Sequence, residues 1–224
     1  MREVVLDTET TGLSARDGDR LVEIGCIELE NHLPTGRVYH QYINPTIPMP
    51  PDAQKIHGLS DEFLKDKPVF SNIAEAFLDF ISDAKLIIHN AKFDISFINA
   101  ELERGGLSTI SIDRTVDTIA VTRKKYPGAP ASLDALCRRF NIDNSARTLH
   151  GALLDAELLS EVYLELIGGR QPGLVLETSE DSDEGFEVVK RERLLPRPHQ
   201  PTEEELEKHN RFIQKLLNPL WKIN

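Results

Sequence analysis

The chain has 224 residues, 40% of them hydrophobic, and a formal net charge of −11. That length suits one core-forming domain plus a tail, since domains run to roughly 100–200 residues. No apolar stretch approaches the ~20 residues of a membrane-spanning helix, and the acidic balance excludes a protein that grips nucleic acid by charge alone. A nucleic-acid substrate would need metals and local Lys or Arg for positive charge, or a partner to deliver it.

Met1-Arg2-Glu3-Val4 leads at once into a strand over Glu3–Asp7, an opening that predicts no secretory signal and a cytoplasmic protein. The apolar run Val4-Val5-Leu6 breaks there into Asp7, Thr8, Glu9, Thr10, Thr11 and Gly12. A buried strand that ends in two acids delivers them to a sheet edge, where the cheapest counter-charge is a divalent metal; a solvated strand-to-loop junction is the alternative. Leu21–Leu29 and Val38–Ile43 read as two further strands joined by a turn at Leu33-Pro34-Thr35-Gly36, which makes an antiparallel meander. Pro45, Pro48, Pro50 and Pro51 then predict an extended loop.

Phe70, Ile73, Ala74, Phe77 and Ile81 fall at helical spacing within Val69–Ile81. Lys85–His89 reads as a short buried strand, and Asn90 as the cap of a helix from Ala91 to about Arg104 that Gly105-Gly106 stops. A brief strand follows at Thr115–Thr118, with Asp117 as cap of the next helix. Ser132 caps a helix through Leu133, Leu136 and Phe140, and Gly151–Ile167 is the last helix of the domain. A meander followed by strand–helix alternation predicts an α/β mixed sheet flanked by helices. Cys26 and Cys137, far apart and without a CxxC pattern, read as core residues of a reducing compartment.

The domain therefore spans 1–169, and a linker of different character covers 170–201. Glu177–Glu187 carries six acids and no base, which predicts disorder. Over 202–224, Thr202-Glu203-Glu204-Glu205 forms a capping box, and Leu206, Ile213, Leu216, Leu217 and Leu220 make an amphipathic helix that either folds back on the domain or, the favoured reading, docks in a partner's groove.

Two more acids lie beside core elements. Asp94 sits in the first turns of its helix with Phe93 and Phe97 on the packing face, turned toward the first strand; a favourable helix-dipole contact is the plainer reading. His150 and Asp155 are five residues apart, about 140° on a helix, so they converge only if His150 precedes the helix in a loop that Gly151 frees. Three or four carboxylates can hold two hard cations about 4 Å apart, an arrangement suited to in-line displacement at phosphorus. Histidine titrates near neutrality, so His150 could take the proton of the attacking water. This points to phosphodiester hydrolysis, with strand polarity and the choice of DNA or RNA left open.

Asp7-Thr8-Glu9-Thr10-Thr11-Gly12-Leu13, His89-Asn90 with Phe93-Asp94, and His150-Gly151-Ala152 with Asp155 resemble the DEDDh 3′–5′ exonucleases. The resemblance runs from Arg2 to about Gly169. Ser132-Leu133-Asp134-Ala135-Leu136-Cys137 and His150 through Glu157 bring it nearest the proofreading epsilon subunits of bacterial DNA polymerase III. It implies a ribonuclease H-like fold and two divalent cations, Mg2+ or Mn2+, with Asp7, Glu9 and Asp155 on the first and Asp7 also on the second. Asp94 would act largely through water and His150 as general base. The resemblance also implies substrate contacts from Asp7, Glu9, Asp155, Thr10, Thr11 and Leu13, with His57 nearby, and partners in the polymerase III catalytic subunit and a single-stranded DNA 3′ end. Gln171-Pro172-Gly173-Leu174-Val175-Leu176 resembles peptides that bind the sliding clamp. A DEDDh ribonuclease that trims RNA ends and a non-catalytic polymerase brace are the alternatives.

Overall fold

The computed structural model describes residues 1–145, 147, 149–169 and 200–216. The chain divides into two compact units, Met1–Leu176 and Glu177–Asn224. In the first, β1 (Arg2–Thr10), β2 (Leu21–Glu30), β3 (Leu33–Tyr42), β4 (Lys85–Ile88) and β5 (Thr115–Asp117) form one sheet in the order β3-β2-β1-β4-β5. The meander β1-β2-β3 is antiparallel, while β4 and β5 run parallel to β1. The predicted mixed sheet is therefore present.

Alternation along the strands splits the core in two. Val4, Leu6, Ile24, Cys26, Leu86 and Ile88 face α3 (Phe70–Ile81) and α4 (Ala91–Arg104), which bury Phe77, Phe97 and Leu102 against them. Val5, Ile27, Leu29 and Ile87 face the other way, onto α6 (Leu133–Phe140) and α7 (Ala152–Leu166), where Leu136, Cys137, Leu159 and Val162 pack. Both cysteines are buried and free.

Several local expectations need correction. The turn between β2 and β3 lies at Asn31 and His32, whose φ of 51° and 68° are those of a two-residue hairpin turn. Leu33 to Gly36 instead form the start of β3, with Pro34 and Leu33 paired to Leu29 and Glu30 across a bulge. On this edge strand a proline removes no ladder hydrogen bond that matters. The proline-rich loop is shorter than expected, because Pro51 opens a helix, α1 (Pro51–His57), whose first N–H needs no partner. A further short helix, α2 (Asp61–Leu64), is capped by Ser60. Asn90 makes no side-chain cap; its φ of 74° turns the chain from β4 into α4. Thr118 begins α5 (Thr118–Lys125) rather than ending β5, and Asp117 caps that helix through the Ile119 N–H. Ser132 caps α6 as predicted.

In the second unit, α8 (Glu203–Ile213) starts at the Thr202–Glu205 capping box. Leu206, Phe212 and Leu216 are exposed and Ile213 is buried. The acidic linker, the Gln171–Leu176 peptide, and Leu217, Leu220 and Trp221 lie outside the described residues.

Candidate active site

β1 runs farther than its apolar core, through Thr10, so both acids lie within a strand. Asp7 and Glu9 share parity with Val5 and belong to the α7 face, whereas Thr8 shares the α4 face with Leu6. The helices on the two faces complete the group. From α4, Asp94 accepts a hydrogen bond from the Thr8 hydroxyl at 2.7 Å and is buried. From the first turn of α7, Asp155 is buried at 3% exposure.

Gly25 explains how α7 comes so near. It pairs with Asp7 across the sheet, and a Cβ there would stand 2.4 Å from the backbone of Ala152 and Leu153. Only glycine lets the start of α7 lie directly on β2 beside the acids. The sequence carries this signal as a lone glycine inside a strand, between Ile24 and Cys26.

His150 precedes α7 in a loop, as its spacing from Asp155 required. Its N–H donates to the Ile56 carbonyl at 3.1 Å, so the helix that sequence reading missed, α1, holds the histidine loop. The His150 ring is about half exposed, with Nδ1 3.5 Å from Asp155 Oδ2. Donor atoms of Glu9, His150 and Asp155 lie within 4.8 Å of one another.

All five residues line one cleft together with Thr10, Thr11, Leu13 and His57. Leu13 is 86% exposed at its rim. The Thr10 hydroxyl is taken by the Gly12 carbonyl at 2.6 Å, and the Thr11 hydroxyl points to Asp19 at 3.3 Å. His57 is buried, with Nδ1 accepting from the Leu59 N–H at 3.0 Å. Its Nε2, which must then carry the proton, makes no hydrogen bond of normal geometry among the described residues, although the Thr10 backbone lies near enough to favour the charged ring. Burial lowers the His57 pKa, so the ring is neutral at pH 7. Among the cleft residues that sequence did not single out are Arg147, three positions before His150, and Asp134 at the start of α6. An arginine in a loop carries no pattern that distinguishes it from a solvated one.

The electrostatics are those of crowded, desolvated acids. Burial pushes Glu9 up to about 8, with Asp155 and Glu23 adding to the shift and Arg147 opposing it. Burial also pushes Asp94 up to about 7, against the bond from Thr8 that favours its charged form. Asp7 is raised well above the ordinary carboxylate range by burial, then by Asp94, Glu9 and Asp155. Carboxylates that hold protons because they are desolvated, and in Asp7 and Glu9 also because neighbouring acids repel them, are suited to a cation that would offset both costs. A set of carboxylate oxygens with a single imidazole matches a hard divalent ion better than a soft, thiolate-seeking one.

A family described as "Exonuclease" matches residues 4–163. The DNA polymerase III subunit epsilon of Rickettsia felis is 50% identical over 233 residues, covering 97% of each chain. The protein of the same name from Escherichia coli is 48% identical over 176 residues, covering 75% of this chain and 72% of that one. Among solved structures, E. coli Exonuclease I in complex with a dT13 oligonucleotide aligns with a TM-score of 0.66 at 19% identity, over 76% of this chain and 42% of that one. A 3′-exonuclease that recognises the histone mRNA stem-loop aligns with a TM-score of 0.64 at 13% identity, over 74% and 63%. At those identities the structures establish a shared fold. The family match and the near full-length identity go further: this chain belongs to the exonuclease family, in the branch of the DNA polymerase III epsilon subunits.

Proposed function

We propose that this chain is a proofreading 3′–5′ exonuclease subunit of a replicative DNA polymerase, removing mispaired 3′-terminal nucleotides by metal-assisted phosphodiester hydrolysis. One observation carries the reading. Asp94 and Asp155, from helices on opposite faces of the sheet, are both buried and both raise the pKa of Asp7 at the end of β1. Holding four acids this close, three of them buried, is costly unless cations use them.

Asp7, Glu9 and Asp155 would hold one Mg2+ or Mn2+ and Asp7 a second, with Asp94 acting through an intervening water; such ions, when bound, acidify water and stabilise the leaving oxygen. Thr8 fixes Asp94 through its hydroxyl. His150, on a half-exposed loop able to reach an incoming strand, removes the proton of the attacking water. Thr10, Thr11, Leu13 and His57 form the walls for the terminal nucleotide, with Leu13 projecting from the rim.

The polymerase catalytic subunit is the partner proposed for the 202–224 segment, and the sliding clamp for Gln171–Leu176. A subunit held on its polymerase inside the cell can carry a net charge of −11, because the strand end is delivered to it.

Metal-dependent digestion of matched DNA, mispaired DNA and RNA 3′ ends tests the substrate. Faster removal of a mispaired DNA end is expected, and a preference for RNA ends would replace this reading with an RNA-trimming one. Pull-down by the polymerase catalytic subunit and the clamp, comparing the full chain with a truncation after Gly169, tests the partners. Equal capture of both forms would sink the replicative assignment.

A further inference from the structure

Arg147 forms the densest set of polar contacts in the cleft. Its Nε donates to Asp155 Oδ1 at 2.6 Å and its Nη2 to Asp155 Oδ2 at 2.7 Å, the parallel fork of a guanidinium on a carboxylate. Nη1 donates to Asp134 Oδ1 at 3.0 Å. Nη2 also lies 2.8 Å from His150 Nδ1. A guanidinium only donates, so His150 Nδ1 accepts and its lone pair is committed to this contact. The Arg147 side chain is 9% exposed, well buried for a cation of this size.

One side chain thus engages both oxygens of an acid and the ring nitrogen of the candidate base. A hard cation needs the same Asp155 oxygens at roughly 2.0–2.6 Å. A guanidinium forked onto them takes one lone pair of each oxygen and repels a second positive charge at the same carboxylate. Asp134 differs from Asp155 in being about half exposed at the start of α6. It also accepts from Asn144 Nδ2 at 3.0 Å, which ties the loop to that helix. Asn144 is held there and His150 at Ile56, so described residues on both sides of Arg147 in the loop are anchored independently of Asp155.

We propose that Arg147 is an internal competitor of the divalent cation: guanidinium and metal take the Asp155 carboxylate in turn, and Asp134 retains Arg147 when the metal has it. The proposal rests on the reading of Asp155 as a metal ligand. It follows that Arg147 also releases the His150 lone pair when it withdraws, so metal loading and freeing of the base are one event. Nucleic-acid phosphate, an anion entering the same cleft, holds the withdrawn guanidinium and therefore favours metal loading.

The test is Mn2+ binding to the full chain without nucleic acid, followed by calorimetry or by the EPR signal of free Mn2+. Arg147→Gln should bind Mn2+ more tightly, on the order of 10-fold, the scale of contacts that act on a metal ligand from outside. Arg147→Lys, which keeps the charge but loses the fork, should show a smaller gain in the same direction. Adding an oligonucleotide with an uncleavable 3′ linkage should tighten Mn2+ binding in the wild type and much less in Arg147→Gln. Unchanged or weaker Mn2+ binding in both Arg147 variants overturns the competition. Asp155→Asn separates the two levels: if it leaves Mn2+ binding intact, Asp155 is no metal ligand, and the underlying reading falls together with the proposal.

Discussion

The two halves of the catalytic cleft are built differently. Asp7, Glu9, Asp94 and Asp155 stand on a central strand and two helices, all within regular elements whose opposite edges are anchored in the core. His150 and Arg147 stand on a loop, held by one backbone bond to α1 and by side-chain bonds to Asp134 and Asp155. The difference suits the duties proposed for each half. Metal ligands need fixed oxygens, because a displaced ligand loses coordination outright. A proton acceptor has to approach each new strand end, and a half-exposed ring on a loop can do so.

The largest expected effect removes the fixed half. Asp7→Ala should lower digestion of a mispaired DNA end by at least about 10³-fold, more than one preorganised electrostatic group usually contributes. Capture by the polymerase subunit should persist. The same variant should melt at a higher temperature than wild type in chelator, because it deletes a desolvated acid that Asp94, Glu9 and Asp155 all repel. An active Asp7→Ala protein would end the two-metal account.

His150→Ala attacks the half carried on the loop. Turnover should fall by about 10²–10⁴-fold with substrate affinity nearly unchanged. Loss of nucleic-acid binding in its place would move His150 from proton transfer to substrate holding.

Thr8→Val probes how the fixed half is aimed. Valine keeps the shape and deletes the hydroxyl that binds Asp94 at 2.7 Å. A loss of about 10–100-fold in activity or metal affinity is expected, typical of contacts that orient a ligand. No change in either quantity would mean the strand alone positions Asp94.

The smallest effect concerns stability against pH. Glu9 is held at about 8 and Asp94 at about 7, while in the unfolded chain such acids give up their protons near pH 4. Between those limits the folded protein binds more protons than the unfolded one, so stability falls as pH rises. In chelator the melting temperature should decline from pH 5 to pH 8.5. With Mg2+ or Mn2+ present the decline should shrink or reverse, because cation binding expels those protons. A flat profile in chelator would show that the acids are not crowded in solution.

The mixed sheet was legible because its signals are local. Val4-Val5-Leu6, Leu86-Ile87-Ile88 and the helical stripe of Phe70 to Ile81 each declare their element within a few residues. The hairpin was misplaced by two residues because Leu33-Pro34-Thr35-Gly36 has turn composition, while the true turn at Asn31-His32 uses two residues that only tolerate positive φ. α1 was hidden by prolines whose meaning depends on position, since Pro51 stands where a helix accepts it.

Residue type and spacing determined the four acids, the histidine in a loop before α7, and the chemistry their combination suggests, because carboxylates beside buried elements are costly and therefore informative. Tertiary structure alone decided how they meet. Strand parity sends Thr8 to Asp94 and leaves Asp7 and Glu9 to Asp155, the bare Cα of Gly25 lets α7 rest on the sheet, and a guanidinium three residues from His150 folds onto Asp155. Each is a contact between positions distant in sequence or on an irregular loop, where distance in space is set by packing and no local pattern encodes it.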